Sequence, residues 1–134
     1  MAFILDNTVT SGWFLENQAS PYTDAIAVRL NEEAAHAPAL WELELTNVLR
    51  TACLRQRMTA EHAQAVVADL GALPIEVDRT PVRRSELLAL SLRFGLSAYD
   101  AAYLELALRL QLPIATRDGP LREAAVASGV GVVT

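Results

Sequence analysis

Four carboxylates stand at positions that any fold of this chain has to account for. Asp6 ends the apolar run Phe3-Ile4-Leu5, and Asp118 follows the run Leu112-Pro113-Ile114-Ala115-Thr116. Glu44 and Asp100 fall on the apolar stripes of two separate helical patterns. A carboxylate on a core-facing surface is costly unless it is paired or binds a metal ion. The chain contains no lysine, and all eleven basic residues are arginine. A fold that gathers these four acids in one place therefore calls for a divalent cation, and hard oxygen donors select Mg²⁺ or Mn²⁺.

The pattern of elements tells how such a gathering can arise. Residues 2–5 read as a short buried strand, and Thr8 to Leu15 as a brief helix with Thr8 at its N-cap. Ser20-Pro21 opens a helix over residues 21–32, because proline fits a first turn. Residues 34–37 read as a strand and 39–57 as a longer helix; Thr59 then caps a helix over 60–71, where Ala63, Val66, Val67 and Leu70 recur at helical spacing. Residues 73–77 form a strand, and Thr80-Pro81 starts a helix that Gly95 stops after Phe94. A helix over 97–110, a strand over 113–116, a helix over 119–128 and a strand over 130–133 complete the chain. Short strands alternating with helices predict one α/β domain, residues 1–134, with a parallel sheet.

Ligands gather at the carboxyl ends of strands in open parallel sheets. Asp6 and Asp118 each follow such a strand, which places both at one edge if the strands are neighbours. Leu40, Glu44, Asn47 and Val48 share one helical face; Leu96, Asp100, Tyr103, Leu104 and Ala107 share another. Both acids then project toward the sheet, whereas Glu42 and Glu105 face water. Each acid also has a plainer reading: an Asx turn for Asp6, a Ser97–Asp100 capping box, and an N-cap role for Asp118. Glu44 has no such alternative, and capping is compatible with metal binding in one residue. Thr8, Asn47 and Thr116 are candidates to support the acids or orient substrate, beside ordinary packing and capping. Arg50, Arg83, Arg84 and Arg117 are candidates for phosphate contacts, and Trp13, Trp41, Tyr99 and Tyr103 for core or interface.

Charge and cysteine content narrow the function further. A formal net charge of −5 argues against a broad basic face gripping nucleic acid, but not against nucleic acid at a metal-filled site. Cys53 is the only cysteine, which excludes an internal disulfide, and His36 and His62 have no zinc-like spacing. The N-terminus does not read as a signal peptide, and no apolar run reaches the about 20 residues that span a bilayer. The expectation is a cytoplasmic protein.

The segments Ile4-Leu5-Asp6-Asn7-Thr8-Val9, Ala37 through Asn47, Leu96 through Leu104, and Leu112 through Asp118 resemble, in order and separation, the PIN-domain family, most closely its VapC-like toxins. The resemblance implies a three-layer α/β/α sandwich with a central, mainly parallel sheet. It implies an Mg²⁺- or Mn²⁺-dependent endoribonuclease that is the toxin of a toxin–antitoxin pair, inhibited by a cognate antitoxin and assembled as a homodimer. Asp6, Glu44, Asp100 and Asp118 map onto the family's acidic positions, and Thr8 onto its frequent Ser/Thr after the first acid. Many relatives place a further acid just after the position of Asp118, where this chain has Gly119-Pro120. The number of metal ions, one or two, is therefore open.

Two rival readings share the pattern. Aspartyl-phosphate phosphatases also begin with an acid after the first strand, but here Thr8 stands where their second Asp belongs and there is no lysine to hold a phosphoryl group. A catalytically inactive PIN-fold binding module would be favoured by the loss of an acid, and none of the four is lost.

Overall fold

A computed structural model describes all residues, 1–134. Four parallel strands form the sheet: β1 (Phe3–Leu5), β2 (Ala35–Pro38), β3 (Ile75–Asp78) and β4 (Ile114–Ala115), in the order β3-β2-β1-β4. β1 is apolar and wholly buried because it pairs on both sides, Phe3 with Ala35 and Ile4 with Ile114 among others. The helices are α1 (Asn7–Thr10), α2 (Pro21–Arg29), α3 (Leu40–Leu54), α4 (Ala60–Gly71), α5 (Arg84–Phe94), α6 (Ala98–Leu110) and α7 (Gly119–Ser128). Parallel crossovers are right-handed. The advance β1-β2-β3 therefore lays α1 to α4 on one face, and the return to β4 lays α5 to α7 on the other, giving three layers, α/β/α. Contacts of α1 with α2 and α3, of α3 with α4, and of α6 with α5 and α7 agree with this layering.

A core of 25 buried residues runs through the layers, with Phe3, Ile4, Leu5, Tyr103, Leu104 and Ile114 at its centre. Strand order reverses between β1 and β4, the switch point where a parallel sheet opens a crevice at its carboxyl edge. Asp6 and Thr116 follow these two strands directly.

Several boundaries differ from the sequence reading. The helix expected from Thr80-Pro81 begins only at Arg84, because the Asp78 carboxylate accepts the Thr80 N–H at 3.1 Å and Arg83 stays extended. The helix expected to end at Arg57 stops at Leu54, and Gln56 turns the chain at φ 58°. The helix expected over residues 8–15 is a single turn, α1, followed by 3₁₀ turns at Ser11–Trp13 and Glu16–Gln18. Thr8 lies inside that turn and not at its N-cap, which Asp6 occupies. Residues 130–133 give one isolated bridge, Val132 to Ile114, and no strand. Glu105, expected to face water, is 5% exposed, because Arg109 holds it at 3.0 Å and ties it to Asp78 at 3.1 Å across to β3.

Candidate active site

Asp6 is the most constrained of the four acids. Its main chain is fixed by Asp6 N–H to the Ala115 carbonyl at 3.1 Å and by the Val9 and Thr10 N–H groups on its own carbonyl, at 3.0 and 3.3 Å. Its Oδ2 accepts two hydroxyls, Thr8 Oγ1 at 2.7 Å and Thr116 Oγ1 at 2.6 Å. Each hydroxyl in turn accepts a backbone N–H, Thr8 from Arg117 and Thr116 from Asp118, both at 3.0 Å. With these N–H groups on the hydroxyl oxygens, the hydroxyl protons are directed at Asp6. The Asp6 side chain thus takes no Asx turn; it bridges β1 to the segment after β4.

That segment is locked from outside by arginine. Arg117 Nε donates to the Thr8 carbonyl at 2.8 Å, Nη2 donates to the same carbonyl, and Nη1 reaches the Gln18 carbonyl at 2.6 Å. Arg122 Nη1 holds the Thr116 carbonyl at 2.8 Å. Arg117 is therefore committed to main-chain oxygens and is not free for phosphate.

The other acids arrive from three helices. Asp118 caps α7, its Oδ2 accepting the Leu121 N–H at 3.0 Å. Glu44 projects from the second turn of α3, and its Oε1 accepts the Tyr103 hydroxyl at 2.5 Å. Asp100 sits in the first turn of α6, where Ser97 Oγ accepts the Asp100 N–H at 3.1 Å. The return bond of a capping box is not formed, so the Asp100 carboxylate is free of its own helix end. Asn47 lies on α3 one turn beyond Glu44 and is exposed. Tyr103 is fully buried, three residues from Asp100 on the same stripe; helical spacing places it on that face, but no local signal reports its bond to Glu44.

The electrostatics are those of crowded like charges. Burial raises the proton affinity of Asp6, against the two hydroxyl bonds, with the Asp118 charge adding to the rise. Burial likewise raises Glu44, against its Tyr103 bond, and the Asp6 charge adds to it. Asp100 is pushed up to about 7 by burial first, then by the neighbouring Asp118 carboxyl, and by the charges of Asp6 and Glu44. Burial and the Asp6 and Glu44 charges push the Tyr103 hydroxyl far up, so it stays a proton donor. None of the four acids is in an ion pair with an arginine.

As the side chains stand, no three His, Cys, Asp or Glu groups converge to hold one metal ion. The acids feel one another's charge without meeting at a point. The donor chemistry nonetheless fits a hard divalent cation: carboxylate oxygens, no competing cation, and next to Asp6 a buried Asn7 Oδ1 that has no hydrogen-bond partner. Asp6 Oδ1 and Glu44 Oε2 meet no hydroxyl or guanidinium, while Oδ2 and Oε1 are tied to the protein.

Comparison with known proteins bears on this geometry. The family model described as PIN domain matches residues 3–127. Ribonuclease VapC12 of Mycobacterium tuberculosis is 34% identical over 104 residues, which cover 78% of this chain and 79% of that protein. Ribonuclease VapC1 of the same species is 35% identical over 104 residues, covering 75% of this chain and 76% of the relative. The crystal structure of PAE2754 from Pyrobaculum aerophilum superposes with a TM-score of 0.65 over 92% of this chain and 79% of that one. At 23% identity that last likeness is one of fold alone.

Proposed function

This chain belongs to the PIN-domain family, and on that premise we propose that it is a metal-dependent endoribonuclease, the toxin of a toxin–antitoxin pair. The observation that carries the reading is the set Asp6, Glu44, Asp100 and Asp118, mutually repelling at the switch point of the sheet with no arginine paired to any of them. Relatives named as ribonucleases support the reaction class.

Asp6, Asp100 and Asp118, with Glu44, would hold Mg²⁺ or Mn²⁺. Such an ion lowers the pKa of a bound water and neutralises charge at a phosphodiester. The chain's own residues supply position. Thr8 and Thr116 fix one oxygen of Asp6 and so aim the other. Tyr103 does the same for Glu44, and the α7 cap does so for Asp118. Arg117 ties the segment after β4 to the Thr8 carbonyl, and Arg122 braces the Thr116 carbonyl from α7. Asn47, one turn along α3 from Glu44, would orient the RNA strand. No histidine or cysteine nucleophile is called for.

The partners that go with this reading are RNA, a cognate antitoxin and a second copy of the chain. Leu43 and Leu54 on α3 and Leu88 and Leu92 on α5 are exposed apolar residues suited to such contacts. No helix is long and apolar enough to cross a membrane. A cytoplasmic location is part of the proposal, as the one that goes with an RNA substrate and an antitoxin partner. A light-scattering mass equal to the monomer would count against the dimer.

Asp6→Asn is expected to abolish metal-dependent RNA cleavage while far-UV circular dichroism stays that of the wild type. Full activity in that variant would refute the assignment. A Mn²⁺ titration separates the enzyme from an inactive module: the enzyme is stabilised by the ion, and a protein that neither binds Mn²⁺ nor gains stability from it is the module.

A further inference from the structure

Among the arginines, Arg50, Arg55 and Arg57 are exposed on α3 and the turn after it, and no carboxylate pairs with them. Two of the three border a cleft. Asn47, Thr51 and Arg55 recur every fourth residue along α3 and form one wall; Asn17 and Gln18 form the other, and Arg57 joins them in a cavity of about 190 Å³. No acidic residue lines this cavity, in a chain whose net charge is −5. A larger cleft of about 900 Å³ continues from it, sharing Asn17 and Arg57, with Glu16 its one acid.

The near end of the cleft, at Asn47, lies one helical turn from Glu44. The opposite wall is tied to the Asp118 segment by Arg117 Nη1 on the Gln18 carbonyl, at 2.6 Å. From Glu44 to Arg55 the helix rises about 16 Å, enough for a few nucleotides. Guanidinium groups fork onto phosphate oxygens. Amides and a hydroxyl can both give and accept hydrogen bonds, which suits base edges and the 2′-hydroxyl of an unpaired strand.

Building on the endoribonuclease reading, we propose that this cleft is the track for the single-stranded RNA beside the scissile phosphate. Arg55 and Arg57 take its phosphates, and Asn17, Asn47 and Thr51 meet its sugars and bases. The one-turn spacing of Asn47 from Glu44, and the mixture of amides with arginines, favour RNA over an acidic protein segment.

The test uses Asp6→Asn as the host, so that the strand survives, and measures fluorescence anisotropy of a labelled single-stranded RNA across a KCl series. Adding Arg55→Ala and Arg57→Ala is expected to weaken binding several-fold at low salt. It should also reduce the slope of log affinity against log salt by about 1.4, at ~0.7 for each phosphate no longer neutralised. Arg93→Ala, in the last turn of α5, is expected to leave both readings unchanged. An unchanged slope in the double variant overturns the proposal, and weakening confined to polyglutamate binding overturns it in favour of an acidic protein segment. A host that binds no RNA, together with a wild type that cleaves none, overturns the endoribonuclease reading as well; cleavage by the wild type with an unaltered arginine variant sinks the track alone.

Discussion

Asp100→Asn is expected to stabilise the protein in the absence of divalent ions while removing its activity. Asp100 has Asp118, Asp6 and Glu44 around it and no arginine against it, and burial followed by Asp118 lifts its proton affinity from 3.8 to about 7. A carboxyl that holds its proton more tightly when folded costs nothing below about pH 4 and lowers stability progressively as pH rises to about 7. The full rise from 3.8 to about 7 corresponds to about 4 kcal/mol, at ~1.36 kcal/mol for each tenfold change in proton binding. Asp100 is only partly buried, so solvent screening reduces this to about 1–2 kcal/mol. Removing an acid from the first turn of α6 gives back about 0.5 kcal/mol of helix-dipole stabilisation. The net gain is about 1 kcal/mol. With an unfolding entropy of ~2.1 cal/mol/K per residue, that raises the Tm of a chain this length by about 3–4 °C. Thermal melts by circular dichroism in EDTA should show this gap at pH 8 and its closure toward pH 4. Adding Mn²⁺ at pH 8 should lift the wild type more than the variant. Melting of the two together at pH 8 in EDTA, or a lower Tm for Asp100→Asn, would refute the claim that the acids repel one another at the sheet edge.

Three further outcomes rest on other parts of the fold. A Cβ at Gly12 would lie 2.6 Å from the Thr23 side chain, which is fully buried in the cap of α2, so Gly12→Ala should lose about 1–3 kcal/mol in urea denaturation. Arg109→Met leaves Glu105 buried without its partner and should cost about 3 kcal/mol by the same measurement. Because Arg109 holds Asp78 below its ordinary range, the Asp78 share is present above about pH 4 and fades as pH falls further. Thr116→Val removes a hydroxyl bond to Asp6 and strands the Asp118 N–H, at about 1–3 kcal/mol, and RNA cleavage should fall more steeply than helix content.

How much of this was readable beforehand divides along physical lines. The order of strands and helices was legible because apolar runs and N-caps are local signals: Ser20, Thr59, Ser97 and Asp118 all cap the helices they precede. Placement of Asp6 and Asp118 at one edge followed from chain logic once parallel strands were inferred. Boundaries were misjudged where a side chain competed with the helix, as Asp78 does over Thr80. Glu105 was misassigned because its partner is itself anchored to a strand about thirty residues away, a distance no helical periodicity reports. Arg117 looked like a phosphate ligand and turned out to be a clamp on main-chain carbonyls, since nothing in sequence places Thr8 and Gln18 under its guanidinium.

The capping and ligand readings of these acids turn out not to compete, because a carboxylate has two oxygens. Asp6 gives one to Thr8 and Thr116, Glu44 one to Tyr103, and Asp118 one to the Leu121 N–H. Each is thereby oriented by the fold through one of its oxygens. Asp100 differs, since neither of its oxygens is tied to a hydroxyl, a backbone N–H or a guanidinium, and its nearest relation is with another acid. Burial and three neighbouring carboxylates bring its proton affinity to about 7, close to neutrality. The fold gains least from the Asp100 carboxylate, so its presence is best explained by something the other acids also face. For the same reason, its replacement separates the cost of the site to stability from its contribution to the reaction.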